Sequence, residues 1–178
     1  MLTNHSIPAA GAWPTMITPY HNGKIDYGAF EDCLRAMDAD VIALNEVRGS
    51  GLIPGFDAQA AILAGRLGYH YRFAPAIGIK GVFQYGNAVL TRLNVKSCEV
   101  IRISAPFPHK PDSSYETRCL LKLRFAEPDI TVLVSHFGLN HDEQEAAVKT
   151  VVRNIPDGKC ILMGDFNATP DDPVLEPI

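Results

Sequence analysis

The chain has 178 residues, 47% of them hydrophobic, which suits one globular domain able to bury a substantial core. A net charge of −4 excludes the global positive field that draws proteins to nucleic acid by neutralising phosphates, and leaves room only for a local basic patch. Cys33, Cys98, Cys119 and Cys160 lie far apart without C-x-x-C spacing, so they read as reduced core residues, not as ligands or a disulfide frame. Met1 to Trp13 carries neither a basic leader nor a continuous apolar run, and no stretch approaches the roughly 18 apolar residues of a membrane span. The expectation is a cytoplasmic protein with no transmembrane segment.

Phe30, Leu34 and Met37 follow i, i+4, i+7 spacing and predict a helix from about Tyr27 to Met37, with Asp26 placed to cap it. Val41-Ile42-Ala43-Leu44 is an uninterrupted apolar run, as expected of a strand covered on both faces, and Glu46 emerges at its C-terminal end. A second helix is expected over Asp57 to Leu67, with Ala60, Leu63, Ala64 and Leu67 on one face and Gly68 as its C-cap. Three strands are predicted after it: Asn87 to Thr91, Val95 to Ile103, and Arg118 to Phe125, where apolar and polar positions alternate. The Pro-rich stretch Ala105 to Ser114 reads as a surface loop.

Ile130 to Val134 forms a further apolar strand ending in Ser135 and His136. Asn140 with Glu143 resembles a capping box, opening a helix to about Asn154. Asp157-Gly158 then turns the chain into a last strand, Cys160 to Gly164. Helices between apolar strands, with alternating strands in the middle, imply an α/β layered sandwich around mixed sheets, a single domain over residues 1–178. No internal repeat or low-complexity segment interrupts it.

Three of these strands end in potential ligands or proton carriers: Glu46, His136, and Asp165 with Asn167. Strand C-termini are where α/β folds place their sites. Each residue also has a plain reading: a solvated strand end for Glu46, a hydrogen-bonded edge histidine for His136, an Asx turn for Asp165 and Asn167. Taken together, the plain readings require three separate coincidences. Mg²⁺ prefers oxygen ligands and commonly takes one or two carboxylates, leaving positions for water and substrate phosphate, which suits Glu46. Attack at phosphorus also needs an oriented water and donors aimed at the developing charge. Asp165 can orient or deprotonate the water, while Asn167 and His136 can donate.

Four segments, in order, carry a family resemblance: Asp40 to Val47 (DVIALNEV), Gly86 to Arg92 (GNAVLTR), Val134 to Phe137 (VSHF), and Gly164 to Asn167 (GDFN). With these the chain resembles the metal-dependent endonuclease/exonuclease/phosphatase superfamily, which includes pancreatic deoxyribonuclease and inositol-phosphate phosphatases. The resemblance runs from Gly23 onward. It implies a four-layer α/β sandwich of two mixed β-sheets flanked by helices, Mg²⁺ or Mn²⁺ at Glu46, and phosphoester hydrolysis by in-line water attack. On it, His136 contacts the scissile phosphate or assists the leaving group, Asp165 positions the nucleophile and Asn167 binds phosphate. Arg118, in Glu116-Thr117-Arg118, sits where relatives carry a substrate-facing arginine, and Asn87 joins it as a substrate-binding position.

The chain departs from the pattern in three places. Asn45 stands where relatives have Gln before the metal glutamate. Asn4 is an approximate match to the first-strand Asn near the metal, with Pro8 to Gly23 expected as a loop at the substrate rim. The Asp-bearing strand and Ser-Asp-His signature that close the family's fold are absent before Ile178, so the expectation is a C-terminally incomplete sandwich, weakly active or inactive in this form. Its open sheet edge makes self-association a further expectation. Two functions follow: a divalent-metal-dependent phosphoester hydrolase (phosphodiesterase, nuclease or phosphatase), or a catalytically impaired binding or assembly module that retains the fold. The charge slightly favours a small phosphate ester or lipid head group over nucleic acid.

Overall fold

In the computed structural model, which describes residues 20–21, 24–53 and 57–178, a short antiparallel pair, β1 (Tyr20–His21) with β2 (Lys24–Ile25), leads into α1 (Tyr27–Met37). The Asp26 carboxylate accepts from the Gly28 and Ala29 N–H groups at 3.0 and 3.1 Å, so two of the helix's orphan donors are satisfied where the sequence placed the cap. After β3 (Val41–Arg48) comes α2 (Gln59–Leu67), which ends on Gly68 in a left-handed conformation with its N–H returned to Ala64. Helix α2 starts two residues later than its apolar spacing suggested, at a point where Ala58 makes no side-chain cap.

The strands that follow are β4 (His70–Ile79), β5 (Phe83–Thr91), β6 (Val95–Ile103), β7 (Arg118–Phe125) and β8 (Ile130–His136). Helix α3 (His141–Val152) crosses over to β9 (Cys160–Asp165), and a 3₁₀ turn at Pro173–Leu175 packs on α3. Strand β4 has no counterpart in the sequence reading. Pro75 and Gly78 interrupt its pattern and most of its side chains are exposed, which an edge strand tolerates and a central one does not.

Beside the β1-β2 pair, the described residues form two larger sheets, with orders β3-β5-β4 and β6-β7-β8-β9. Among the described residues the first is antiparallel throughout; the second is mixed, because β9 runs parallel to β8 and needs the α3 crossover to do so. The alternation on β7 decides the layering. Cys119, Leu121, Leu123 and Phe125 face Val89, Val132 and Val134 between the sheets, whereas Leu120 faces α3 with Leu133, Val148 and Val151. On the far side Ile42, Leu44 and Leu90 pack under α1 and α2 against Leu34, Leu63 and Leu67. The layers are thus helix, sheet, sheet, helix, an α/β sandwich.

Parallel strands β8 and β9 place His136 beside Asp165 in register, so the two strand ends coincide. Gly164, at φ 142°, sits so close to β8 that a Cβ there would collide with the Ser135 carbonyl oxygen. Glycine before the aspartate is therefore a packing requirement. No helix among the described residues is long and apolar enough to cross a membrane. Asn4 and the expected rim loop, apart from Tyr20 and His21, lie outside the described residues.

Leu123 is 0% exposed between the sheets, and Ile161, on β9, is 47% exposed. Leu123→Ala is expected to lower the unfolding free energy by about 2–5 kcal/mol, and Ile161→Ala by no more than roughly 1 kcal/mol. Urea unfolding at constant m-value measures both; equal losses would contradict this assignment of the core.

Candidate active site

The site begins with a bulge. On β3, Leu44 pairs with Ala88 and Val47 with Gly86, so Asn45 and Glu46 together oppose the single residue Asn87 on β5. A bulge re-aims the side chains it carries. Here Asn45 turns between the sheets and Glu46, at φ 56°, projects into solvent from within β3, two residues before the strand ends at Arg48 and not at its C-terminal end as the apolar run suggested. A left-handed glutamate costs on the order of 1–3 kcal/mol, strain of the sort that collects at functional positions.

Asn45 joins the two sheets. Its Nδ2 donates to Asn87 Oδ1 at 2.8 Å and to the Ser135 carbonyl at 3.4 Å, and its Oδ1 accepts the Asp165 N–H at 3.1 Å. Behind it, buried Asn87 donates to the Cys119 carbonyl at 3.3 Å, Ser135 Oγ donates to the same carbonyl at 3.1 Å, and the Cys119 thiol donates to the Ala74 carbonyl at 3.4 Å. Burial pushes that thiol up to about 11, which keeps it a neutral donor. The shorter Asn in place of Gln thus has a definite set of partners, one on β5 and two on the facing sheet.

His136 ends β8, buried, with a nitrogen neighbour at each ring nitrogen. Arg118 Nη1 lies 3.1 Å from Nδ1 and Asn167 Nδ2 lies 3.1 Å from Nε2. A guanidinium can only donate, so Nδ1 must accept, and the proton of the neutral ring sits on Nε2. Burial and the adjacent Arg118 charge, in that order, hold the imidazole below its usual pKa and keep it neutral, outweighing the opposing pull of Asp165 and Glu46. Asn167 Nδ2 is also fixed as a donor, because it gives a proton to the Phe137 carbonyl at 2.9 Å. Two N–H groups, His136 Nε2–H and Asn167 Nδ2–H, therefore converge without an acceptor between them.

Asp165 does form the expected Asx turn: its Oδ1 accepts the Asn167 N–H at 2.9 Å. The turn holds Asn167 at φ 47°, which asparagine tolerates well, and α3 secures it through Gln144 Nε2, which donates to the Asn167 carbonyl at 2.8 Å. Glu46, Arg118, His136, Asp165 and Asn167 all line one cavity of about 270 Å³, with Glu116 and exposed Leu139 at its rim. Asn87 is brought to the same place but behind it, lining a smaller recess of about 90 Å³ that shares Glu46, Arg118 and His136. A larger apolar groove of about 590 Å³, between α3 and Pro173–Pro177, contains none of these residues.

The sequence reading passed over Gln144, Glu116 and the sheet-bridging role of Asn45. Gln144 left a signal, since it lies on the buried face of α3 with Ala147, Val148 and Val151, where only it and Glu143 are polar. Glu116 left none; it matters through Arg118, whose Nη2 it holds at 3.2 Å.

The donor set bears on the expected metal. Among the described residues no three His, Cys, Asp or Glu side chains cluster closely enough to form a metal cage. Mg²⁺ does not require one, because it completes its shell with water and phosphate oxygens. The Glu46 carboxylate, 63% exposed and 3.9 Å from His136 Nδ1, offers hard oxygen donors beside room for a phosphate, and so fits a sparingly held cation of that type. A closed thiolate or imidazole site does not fit.

Residues 19–178 match the model of the Endonuclease/Exonuclease/phosphatase family. Among solved structures the chain is similar to an endonuclease/exonuclease/phosphatase family protein from Leptotrichia buccalis (21% identity, TM-score 0.58, 79% of this chain and 59% of that one). It is also similar to ANGEL2, a 2',3'-cyclic phosphatase (21%, 0.58, 83% and 45%), and to a mannosyl-6-phosphatase from Bacteroides thetaiotaomicron (14%, 0.61, 85% and 60%). At these identities the likeness is one of fold, and the chain spans about half to three-fifths of their lengths. No curated protein matches.

Asn45→Ala removes the carboxamide between the sheets and leaves Asn87 Oδ1 and the Asp165 N–H without that partner. It is expected to cost about 1–3 kcal/mol in urea unfolding and to shift the Asp165 and Ser135 amide resonances most. An unchanged midpoint, or shifts confined to β3, would contradict the bridging role.

Proposed function

We propose, given that the chain belongs to the Endonuclease/Exonuclease/phosphatase family, that its strand ends form the active site of a divalent-metal-dependent phosphoester hydrolase. The observation that carries this reading is the meeting of His136 Nε2 and Asn167 Nδ2 at 3.1 Å, two donors that lack an acceptor between them, at the wall of a cavity that also holds carboxylates. An anionic oxygen placed against both satisfies them at once, and a phosphoryl oxygen has the charge to reward it.

The roles of the chain's own groups follow from their hydrogen-bonding capacity. Arg118 supplies positive charge to the phosphate, and by donating to His136 Nδ1 it keeps the Nε2 proton directed outward. Asn167 Nδ2 donates to a second position on the same group. Asp165, one oxygen fixed by the Asn167 N–H, orients the attacking water and takes its proton on the other. Glu46 would hold the cation, Mg²⁺ or Mn²⁺. When bound, such a cation would supply positive charge to the phosphoryl group. Gln144 and Asn45 take no part in the chemistry; they fix the backbone on either side of Asp165.

A net charge of −4 and the absence of a Lys/Arg-rich run favour a small phosphate ester or lipid head group over long duplex nucleic acid. The expected result is Mg²⁺- or Mn²⁺-dependent hydrolysis within a panel of phosphomonoesters and phosphodiesters, reduced at least about 100-fold by Asp165→Ala with the circular dichroism spectrum unchanged, and lost on chelation. Failure of the chain, and of any longer form of it, to hydrolyse every ester in the panel would overturn the proposal. Failure to bind either cation by calorimetry as well would favour a binding module.

A further inference from the structure

Three successive residues leading into β7 are fastened, one after another, to the start of α3. The Ser114 carbonyl accepts from Asn140 Nδ2 at 2.7 Å, the Tyr115 hydroxyl donates to Asp142 Oδ2 at 2.8 Å, and the Glu116 N–H donates to Glu143 Oε1 at 3.0 Å. Glu143 is the innermost of these contacts, only 4% exposed. Its Oε2 performs the expected capping task, accepting the Asn140 N–H at 3.3 Å and Nδ2 at 2.7 Å. Its Oε1 is directed elsewhere, at a segment 27 residues earlier in the chain. A helix cap needs only the first oxygen. The second ties the helix to the strand that carries Arg118.

Arg118 depends on that strand's entry. Its guanidinium is held on one side by the Glu116 carboxylate, 3.2 Å from Nη2, and on the other by His136 Nδ1, 3.1 Å from Nη1, while its Nε is buried with no partner among the described residues. Glu116 itself is exposed and ends the irregular connection from β6, so without an anchor on its backbone its carboxylate has no fixed position from which to hold the arginine. Gly138 lets the chain leaving β8 close over the anchor: a Cβ there would press on the Glu143 side chain at 2.5 Å. One buried carboxylate therefore touches the β7 entry, the β8 exit and the α3 cap.

We propose that Glu143 is a positioning residue for phosphate binding, which by gripping the Glu116 N–H sets Glu116, and through it Arg118, against His136. The inference rests on the phosphoester-hydrolase reading of the same cavity, which Glu143 also lines. Gln is the informative replacement. It keeps the shape but has one oxygen where Glu143 uses two, so its amide must confront either the Asn140 donors or the Glu116 N–H.

The test is a double-mutant cycle read by calorimetric affinity for inorganic phosphate in the presence of Mg²⁺, with KM and kcat measured on whichever ester the wild type hydrolyses. Glu143→Gln is expected to weaken phosphate binding and raise KM roughly tenfold, a coupling typical of groups in one network, with a smaller change in kcat. Arg118→Ala is expected to lose at least as much, and adding Glu143→Gln to it to lose nothing more. Losses that add in full in the double mutant would overturn the proposal and leave Glu143 as a cap alone. A wild type that neither binds phosphate nor hydrolyses an ester would overturn the hydrolase reading and this inference together. Where Glu143→Gln does not fold, Tyr115→Phe, which removes the neighbouring fastening, is expected to give a smaller loss that also vanishes beside Arg118→Ala; its persistence there would count against the proposal.

Discussion

The Asn45 carboxamide is the contact on which the site depends. The two sheets meet across Leu121, Leu123, Phe125, Val89, Val132 and Val134, a layer that supplies most of the cohesion but little direction, because apolar contact tolerates sliding. Hydrogen bonds do not. Asn45 fixes β3 against β8 and β9, and Asn87 and Cys119 fix β5 and β4 against β7. Each sheet carries only part of the chemistry, Glu46 on one and Arg118, His136 and Asp165 on the other. The register between the sheets is therefore also the geometry of the cavity.

Directionality carries through to the polar groups themselves. Arg118 decides the tautomer of His136, that tautomer makes Nε2 a donor, and the Phe137 carbonyl makes Asn167 Nδ2 a donor beside it. Positive φ at Glu46 is strain held in place by the bulge, while Asp165 and Gln144 hold Asn167 in the left-handed turn that asparagine accepts. The apolar core can hold such arrangements because its stability does not depend on them. A cavity wall that sets the His136 and Asn167 donors side by side, with carboxylates across from them to hold a cation, is suited to an anionic ligand that arrives with its metal.

Much of this was legible in the sequence where one local signal decided the outcome. The apolar spacing of α1 and the Asp26 cap located that helix, and the alternation on β7 set apart the four side chains that the fold places between the sheets. His136, Asp165 and Asn167 were readable because strand ends are marked by the last apolar residue before them; Glu46 stood out by the same rule although β3 runs past it to Arg48. What was hidden is set by neighbours far along the chain. Strand β4 exists because β5 is there to pair with it, despite Pro75; β3 continues through polar Asn45 and Glu46 because a bulge accommodates them. Glu143 reads only as half of a capping box, and Gln144 goes unassigned, until the fold sets them against the Glu116 N–H and the Asn167 carbonyl.

The central claim is that Glu46, His136 and Asp165 converge on one cation and phosphate site. Paramagnetic broadening by substoichiometric Mn²⁺, followed by amide NMR, tests it most directly. The account predicts selective loss of the Glu46, His136 and Asp165 signals, abolished by Glu46→Gln and accompanied by phosphate-dependent shifts at Arg118 and Asn167. Broadening centred elsewhere, for instance at Asp171 and Asp172, or broadening at the strand ends that survives Glu46→Gln, would contradict it.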